Sequence, residues 1–463
     1  MNIVNTLNDF LWSWLVIPML VGCGIWFTIK LGFLQFRYFP LMLRQLFESN
    51  ASADKKDGKK HINSFHAFVI SLSSRIGTGN LAGVASAIYV GGPGAVFWMW
   101  VMALIGAASA FVESTLAQLY KRKGKDSYYG GPAYYMLHGL HSPWMGMVFS
   151  IVLTITFGMS YQVMQSNQIC MSVYDTTDAM PIVIAIVLAV FTGIIIIGGI
   201  HRIAQFAAVV VPFMAIAYLL LALYVIGVNI QNVPAAFRLI IESAFGIEPA
   251  AGGAVGVTIM QVVKRGLFSN EAGEGSAPNA AAAAETSHPV RQGLVQALGV
   301  FTDTLVVCSC TAMIILLSGA YKEGNADGIL LTTRALETEI GSAARYIVSI
   351  TIIFFAYSSI IGNYYYGETA IRYVSENKVV LRVFQLITVI TVVLGGLMTL
   401  EDIWTIVDLC MCSIVIINIY AILRLSPKVI FLWKNYKEQM KEGKEPVFRK
   451  EMLPSGHEDI EAW

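Results

Sequence analysis

The sequence predicts an all-α polytopic membrane protein of eleven transmembrane helices: a five-plus-five inverted repeat with two broken helices, plus one extra N-terminal helix. Three observations predict it. Of 463 residues, 56% are hydrophobic and only 13% charged, whereas a soluble domain carries about 25% charged residues. The apolar residues come in blocks long enough to cross a bilayer, which takes roughly 20 residues each. Two of these blocks are interrupted by glycine-rich polar segments, and the interruptions stand five spans apart.

Residues 1–47 hold the extra helix, a span over 11–29. No basic region precedes it, so it reads as a retained span rather than a cleavable signal. Residues 31–47 follow, with Arg37 and Arg44 among aromatics and leucines, which suits an interfacial amphipathic segment. The first repeat, 64–228, contains spans at 64–90, 95–119, 145–173, 181–199 and 203–228. The second, 252–423, contains spans at 252–284, 292–318, 342–371, 378–397 and 403–423. Residues 424–463 form a basic tail, whose charge suits an anionic lipid surface. The connections sort into two alternating sets carrying 21 and 3 Lys and Arg residues. Basic connections stay in the cytoplasm. The chain is therefore expected in the inner or plasma membrane, with its N-terminus outside and its C-terminus cytoplasmic.

The breaks are the informative part. The first, Ser71–Gly83, reads SLSSRIGTGNLAG; the second, Leu267–Ala280, reads LFSNEAGEGSAPNA. Irregular, charged backbone at membrane depth survives only when buried in protein or lining a cavity. An offset of five reverses the direction of travel across the membrane, which is what an inverted repeat requires. Paired interruptions of this kind point to a transporter site. A broken helix leaves N–H groups at the start of one half and C=O groups at the end of the other, favouring an anion and a cation respectively. A zwitterionic amino acid with Na+ would satisfy both. Gly77 and Gly79 permit close approach to the backbone, and Thr78 and Asn80 add polar groups. A small-residue packing seam is the bland alternative, since Gly79 and Gly83 have its spacing.

Other polar residues leave two readings open. Glu271 and Glu274 either bind a cation or, the favoured reading, neutralise Lys264, Arg265 or Arg75. Tyr161, Gln162, Gln165, Ser166, Asn167 and Gln168 are either glue between helices or a pocket wall. Ser358 and Ser359, with the carbonyl of Phe355, offer hard oxygens for Na+, yet back-bonding to the helix explains most membrane serines. Glu113, Asp303, Glu368 and Asp408 are acids in or near spans that the sequence does not rank. The six cysteines, Cys23, Cys170, Cys308, Cys310, Cys410 and Cys412, lie in apolar runs without histidines at ligand spacing and read as packing residues. A membrane enzyme would need a nucleophile–base or metal cluster, and the seven histidines form none. A channel would need a continuous polar path rather than local breaks. No nucleic-acid partner, obligate protein partner or organic cofactor is expected.

Arg75-Ile-Gly-Thr-Gly-Asn-Leu-Ala-Gly83, Gly130-Gly-Pro-Ala-Tyr-Tyr135 and Ser269-Asn-Glu-Ala-Gly-Glu-Gly-Ser-Ala-Pro278 resemble the signatures of the alanine or glycine:cation symporter family, over about residues 10–430. The resemblance implies the leucine-transporter-like fold and Na+-driven import of alanine, glycine or a near neighbour such as serine or glutamine. It implies that Thr78, Gly79 and Asn80 hold the substrate carboxylate, with Gln165, Phe268, Ser269 and Asn270 along the pocket wall. It implies a Na+ site built from the carbonyls of Ser73, Ile76 and Phe355 with Ser358 and Ser359. A proton-coupled relative of the same fold is the competing expectation.

Overall fold

The computed structural model describes residues 2–48, 62–124, 127–245, 255–324, 326–454 and 459–463. Parts of the expected connections 48–63, 119–126, 229–251 and 319–341, the start of the seventh span and residues 455–458 of the tail lie outside the described residues.

The described chain is helical except for one short antiparallel hairpin, β1 (Arg122–Lys123) and β2 (Tyr128–Tyr129). The helices that frame the two breaks are α1 (Thr6–Lys30), α2 (Ser64–Arg75), α3 (Val84–Gly91), α4 (Ala95–Leu119), α5 (Pro143–Thr177), α6 (Pro181–Ile196) and α7 (Gly199–Val228). They continue as α8 (Val255–Asn270), α9 (Ala277–Ala283), α10 (Pro289–Ser318), α11 (Ala343–Val374), α12 (Lys378–Leu394) and α13 (Leu400–Lys441). Among the described residues, seven helices are both long and apolar enough to cross a membrane. Phe191, Phe213, Leu220 and Leu386 are exposed on α6, α7 and α12. An apolar outer face of that extent suits lipid and not water. This is a multi-pass membrane protein.

The two broken elements sit at the centre. Every residue from Ala67 to Ile88 is buried, as is every residue from Val262 to Ala284. They are wrapped by α4, α5, α10 and α11. Small side chains make this close packing possible. Ala103, Ala107 and Ala110 of α4 and Ala280 to Ala282 of α9 are fully buried. Where α1 crosses α4, a β-carbon on Gly24 would stand 3.0 Å from the Ile105 carbonyl oxygen. The segment expected at the interface is two short helices, Leu34–Arg37 and Phe39–Glu48.

Both interruptions fall where the glycines predict. α2 ends at Arg75 and a π-helical turn, Gly79–Gly83, leads into α3. α8 ends at Asn270; Gly273 and Gly275 then adopt φ of +94° and +78°, which only glycine takes without penalty. Glu271 also has a positive φ, +57°. Its side chain is tied on both sides, by Ser74 and Ser276, which offsets the strain of a non-glycine residue there.

The basic tail begins inside the last helix, which runs 42 residues, Leu400–Lys441. Past residue 423 its apolar positions turn inward: Trp433 and Tyr436 are buried, with Trp433 edge-on to Tyr38 and Phe111.

Candidate functional site

At the first break the helix end offers two kinds of backbone group. On the N–H side, Gly77 N donates to Asn80 Oδ1 (2.8 Å) and Thr78 N donates to Gln165 Oε1 (3.0 Å). Two amide oxygens thus sit where a carboxylate's two oxygens could sit. On the C=O side, Ser359 Oγ lies 3.3 Å from the Ile76 carbonyl oxygen and 3.2 Å from that of Phe355. Ser358 Oγ lies 2.8 Å from the same Phe355 oxygen. The break and α11 therefore bring four hard, uncharged oxygens together, a donor set that suits Na+ and needs no ionised ligand. The hydroxyl of Ser73 turns back to the Ile70 carbonyl (2.7 Å). Ser73 nevertheless adjoins α11: a β-carbon on Gly362 would stand 2.6 Å from Ser73 Oγ.

The glycines of this break are demanded by packing as well. A β-carbon on Gly77 would stand 2.9 Å from Gln165 Oε1, and one on Gly79 would stand 2.9 Å from Ser269 Cα. The two breaks touch at Gly79, beside Phe268 and Ser269. Thr78 contributes a buried hydroxyl with no hydrogen-bond partner among the described residues. Asn270 does not join the group. Its Oδ1 accepts from Ala272 N (3.0 Å) and its Nδ2 donates to Thr304 Oγ1 (3.2 Å), so it shapes the second break.

Phe268 belongs to an aromatic wall. Its ring is edge-on to Tyr161 (centroids 4.7 Å) and to Trp404 (5.1 Å). Beyond Trp404 opens a cavity of about 510 Å³, lined by Lys264, Arg265, Asp327, Glu401, Trp404 and Asp408 among others. Arg265 lies over the Trp404 ring at 3.5 Å and makes a bidentate pair with Asp408 (3.1 and 3.0 Å). Lys264 shares Asp408 at 3.4 Å. Lys264, Arg265 and Arg75 were the cations expected to neutralise Glu271 and Glu274; the first two turn to Asp408, whereas the Arg75 charge does act on both glutamates. Among the described residues, Glu271 is held by the hydroxyls of Ser74 and Ser276 (both 2.5 Å), and Glu274 by Tyr161 Oη (3.1 Å). Arg75 donates to the Gln296 carbonyl (3.2 Å).

Glu113 has a role that the sequence did not reveal. It accepts from Gly273 N (3.3 Å), Gly275 N (3.2 Å) and Asn418 Nδ2 (2.8 Å), while Asn418 Nδ2 also donates to the Gly273 carbonyl (2.8 Å). One carboxylate from α4 thereby satisfies the freed N–H groups of the second break. The polar run of α5 divides between the two open readings. Gln165 faces the first break. Ser166 and Asn167 instead bond the end of α12, through the carbonyls of Val392, Gly395 and Met398.

The family model described as the Sodium:alanine symporter family matches residues 1–450. The chain belongs to that family. Relatives agree along nearly their whole lengths. The chain is 46% identical over 462 residues to the "Probable sodium/glutamine symporter GlnT" of Bacillus subtilis, covering 100% of this chain and 96% of that one. It is 45% identical over 462 residues to the "Amino-acid carrier protein AlsT" of the same organism, covering 100% and 97%. It is 36% identical over 446 residues to the "Sodium/alanine symporter AgcS" of Methanococcus maripaludis, covering 94% and 97%. Members of the family are transporters, not enzymes.

In this member of the sodium:alanine symporter family, Lys121 and His288 are buried ionisable groups outside the spans. The Lys121 ammonium bonds the Ala284 carbonyl (3.0 Å) at the end of α9. Burial pushes it down to about 7, against the faces of Tyr128 and Trp463 at 4.3 and 4.4 Å, which favour its charged form. His288 caps α10, its Nδ1 accepting from Val290 N (3.2 Å). Burial pushes that imidazole down to about 3.

Proposed function

We propose that this protein imports a small neutral amino acid, alanine or glycine with serine and glutamine as near competitors, by symport with Na+. One observation carries the reading. The first break presents N–H groups to anion-like oxygens at Gly77 and Thr78, and a carbonyl to a cluster of hard oxygens at Ile76, within three residues. A zwitterion and a cation fit those two faces. On this reading the substrate carboxylate takes the place of Gln165 Oε1 at Thr78 N, with Gly79 and Asn80 beside it. Phe268 and Ser269 close the wall, and Asn270 shapes it. Na+ sits among Ile76, Phe355, Ser358 and Ser359 with Ser73 adjoining, and it ties α11 to the first break.

The proposed topology has eleven spans. To the seven long apolar helices it adds the two broken elements and the shorter α6 and α12. The two breaks, five spans apart, support an inverted repeat of 64–228 and 252–423. The bias of 21 to 3 basic residues between alternate connections supports an external N-terminus and a cytoplasmic C-terminus. The charged cavity is then the outer vestibule, and Trp404 with Phe268 separates it from the site. Transport proceeds by alternating access. Na+ favours the outward-facing form, substrate completes the site, and the bundle then opens inward. The coupling is the difference in Na+ affinity between the two states. A membrane potential adds about 2.3 kcal/mol per charge per 100 mV.

The second reading, proton coupling, draws on the buried carboxylates Glu113, Glu271, Glu274 and Asp303, four acids that share the charge of one arginine, Arg75. Proteoliposomes separate the two. Radiolabelled alanine uptake that follows an inward Na+ gradient, with unlabelled glycine, serine and glutamine as competitors, supports the Na+ reading and ranks the substrates. Uptake indifferent to Na+ and driven by a pH gradient rejects it.

A further inference from the structure

We propose that Asp303 is the positioning residue that locks the two broken spans to each other at the substrate site. The inference rests on the functional reading above and adds a residue to it. Asp303 is fully buried, on a π-helical stretch of α10 running Phe301–Cys308. Its Oδ1 accepts from Asn80 Nδ2 (2.7 Å), a residue of the first break. Its Oδ2 accepts from Ser269 Oγ (2.8 Å), a residue of the second, and from Thr304 Oγ1 (2.9 Å). A single carboxylate thus spans both interruptions.

The chemistry explains why the residue is an acid. Three donors converge on the two carboxyl oxygens, and an ionised carboxylate, with acceptor capacity on both, meets all three at once. The contact also sets an orientation. By accepting from Asn80 Nδ2, Asp303 fixes that amide so that its Oδ1 faces Gly77 N, which donates to it at 2.8 Å. By accepting from Ser269 Oγ, it holds the side chain that lies against Gly79. Asp303 acts through these two residues.

The π-helical turn has a consequence here. An i to i+5 repeat stacks residue 308 above residue 303, where an α-helical turn would carry it to another face. Cys308 Sγ accordingly lies 3.3 Å from both Asn80 Nδ2 and Ser269 Oγ. The thiol closes the same cluster, so it is part of the clasp rather than simple apolar packing. π-helical turns recur at functional sites, and this one lets one helix face address both breaks.

The test uses the full-length protein in proteoliposomes, measuring KM and kcat for Na+-driven alanine uptake, with thermal unfolding in detergent as a check on folding. Asp303→Ala raises the alanine KM at least about tenfold, as expected for loss of charge-assisted hydrogen bonds, and by more than any fall in kcat. Asp303→Asn keeps the shape and one acceptor, so it serves if the alanine variant does not fold; it raises KM at least about threefold. Made in a Ser269→Ala background, either substitution has less than half its effect, because its partner is already missing. A KM within twofold of wild type in Asp303→Asn, or effects that multiply independently with Ser269→Ala, overturns the proposal while leaving symport intact. Wild-type protein without Na+-driven uptake sinks the functional reading, and this inference with it.

Discussion

Ser359→Ala is the substitution whose effect the geometry defines best. The hydroxyl lies 3.3 Å from the Ile76 carbonyl oxygen and 3.2 Å from that of Phe355, on opposite walls of the proposed Na+ site. Removing it deletes one hard-oxygen ligand and the link between α11 and the first break. A hydrogen bond to a charged group is worth about 1.5–3 kcal/mol. At 1.4 kcal/mol per decade, the Na+ concentration for half-maximal uptake should rise about 10- to 150-fold. Folding should suffer far less. The same hydroxyl also bonds back to its own helix at Phe355, at a net value of about 1 kcal/mol. Ser359→Cys should behave like the alanine variant despite its size, because sulfur is a soft donor and a poor partner for a hard cation. The assay is initial alanine uptake into proteoliposomes across a Na+ titration, alongside thermal unfolding in detergent. Half-saturation within twofold of wild type, in protein that unfolds normally, refutes the assignment.

Three further outcomes follow from other parts of the structure. Gln165→Glu sets a fixed anion where Thr78 N now meets an amide oxygen at 3.0 Å; it should compete with the substrate carboxylate and raise the alanine KM at least about tenfold, and an unchanged KM excludes that placement. Gly275→Ala forces φ +78° on a side chain and sets its β-carbon 2.8 Å from Pro132 Cγ; left-handed strain and overpacking together cost about 2–5 kcal/mol, so an unaltered unfolding temperature contradicts the account of the second break. His288 is held neutral at about 3 against about 6.5 when released. The unfolded state therefore binds the extra proton between those values, and stability falls with pH through that window. The loss is about 2 kcal/mol by pH 5. Unfolding temperature should drop between pH 7 and pH 5 in wild type and drop less in His288→Gln; equal slopes reject the assignment.

The helices and both breaks were legible because local chemistry determines them. The span expected at 95–119 is the helix Ala95–Leu119, and the glycines at 77, 79, 273 and 275 mark the interruptions. What escaped the sequence depends on distances that only the fold sets. Nothing in one chain says that Asp303 meets both Asn80 and Ser269, or that Glu113 meets Gly273. Cys308 sits in an apolar run, and only the π-helical turn brings its sulfur to the polar cluster. Glu271 and Glu274 invited ion pairs, but buried hydroxyls from Ser74, Ser276 and Tyr161 reach them first, while Lys264 and Arg265 turn to Asp408. The length of the last helix was hidden for another reason. Its apolar content falls past residue 423 while its inward face, with Trp433 and Tyr436, still packs on protein.

On the proposed reading, Na+ and the amino acid bind to two faces of one break, so that each strengthens the other. The direct measurement is equilibrium binding of labelled alanine to purified protein in Na+ and in choline, repeated as Na+ binding with and without alanine. Alanine should bind at least about tenfold more tightly in Na+, and Na+ should tighten by the same factor in alanine, because such coupling is reciprocal. Equal alanine affinity in Na+ and choline, in protein that binds alanine well, contradicts it.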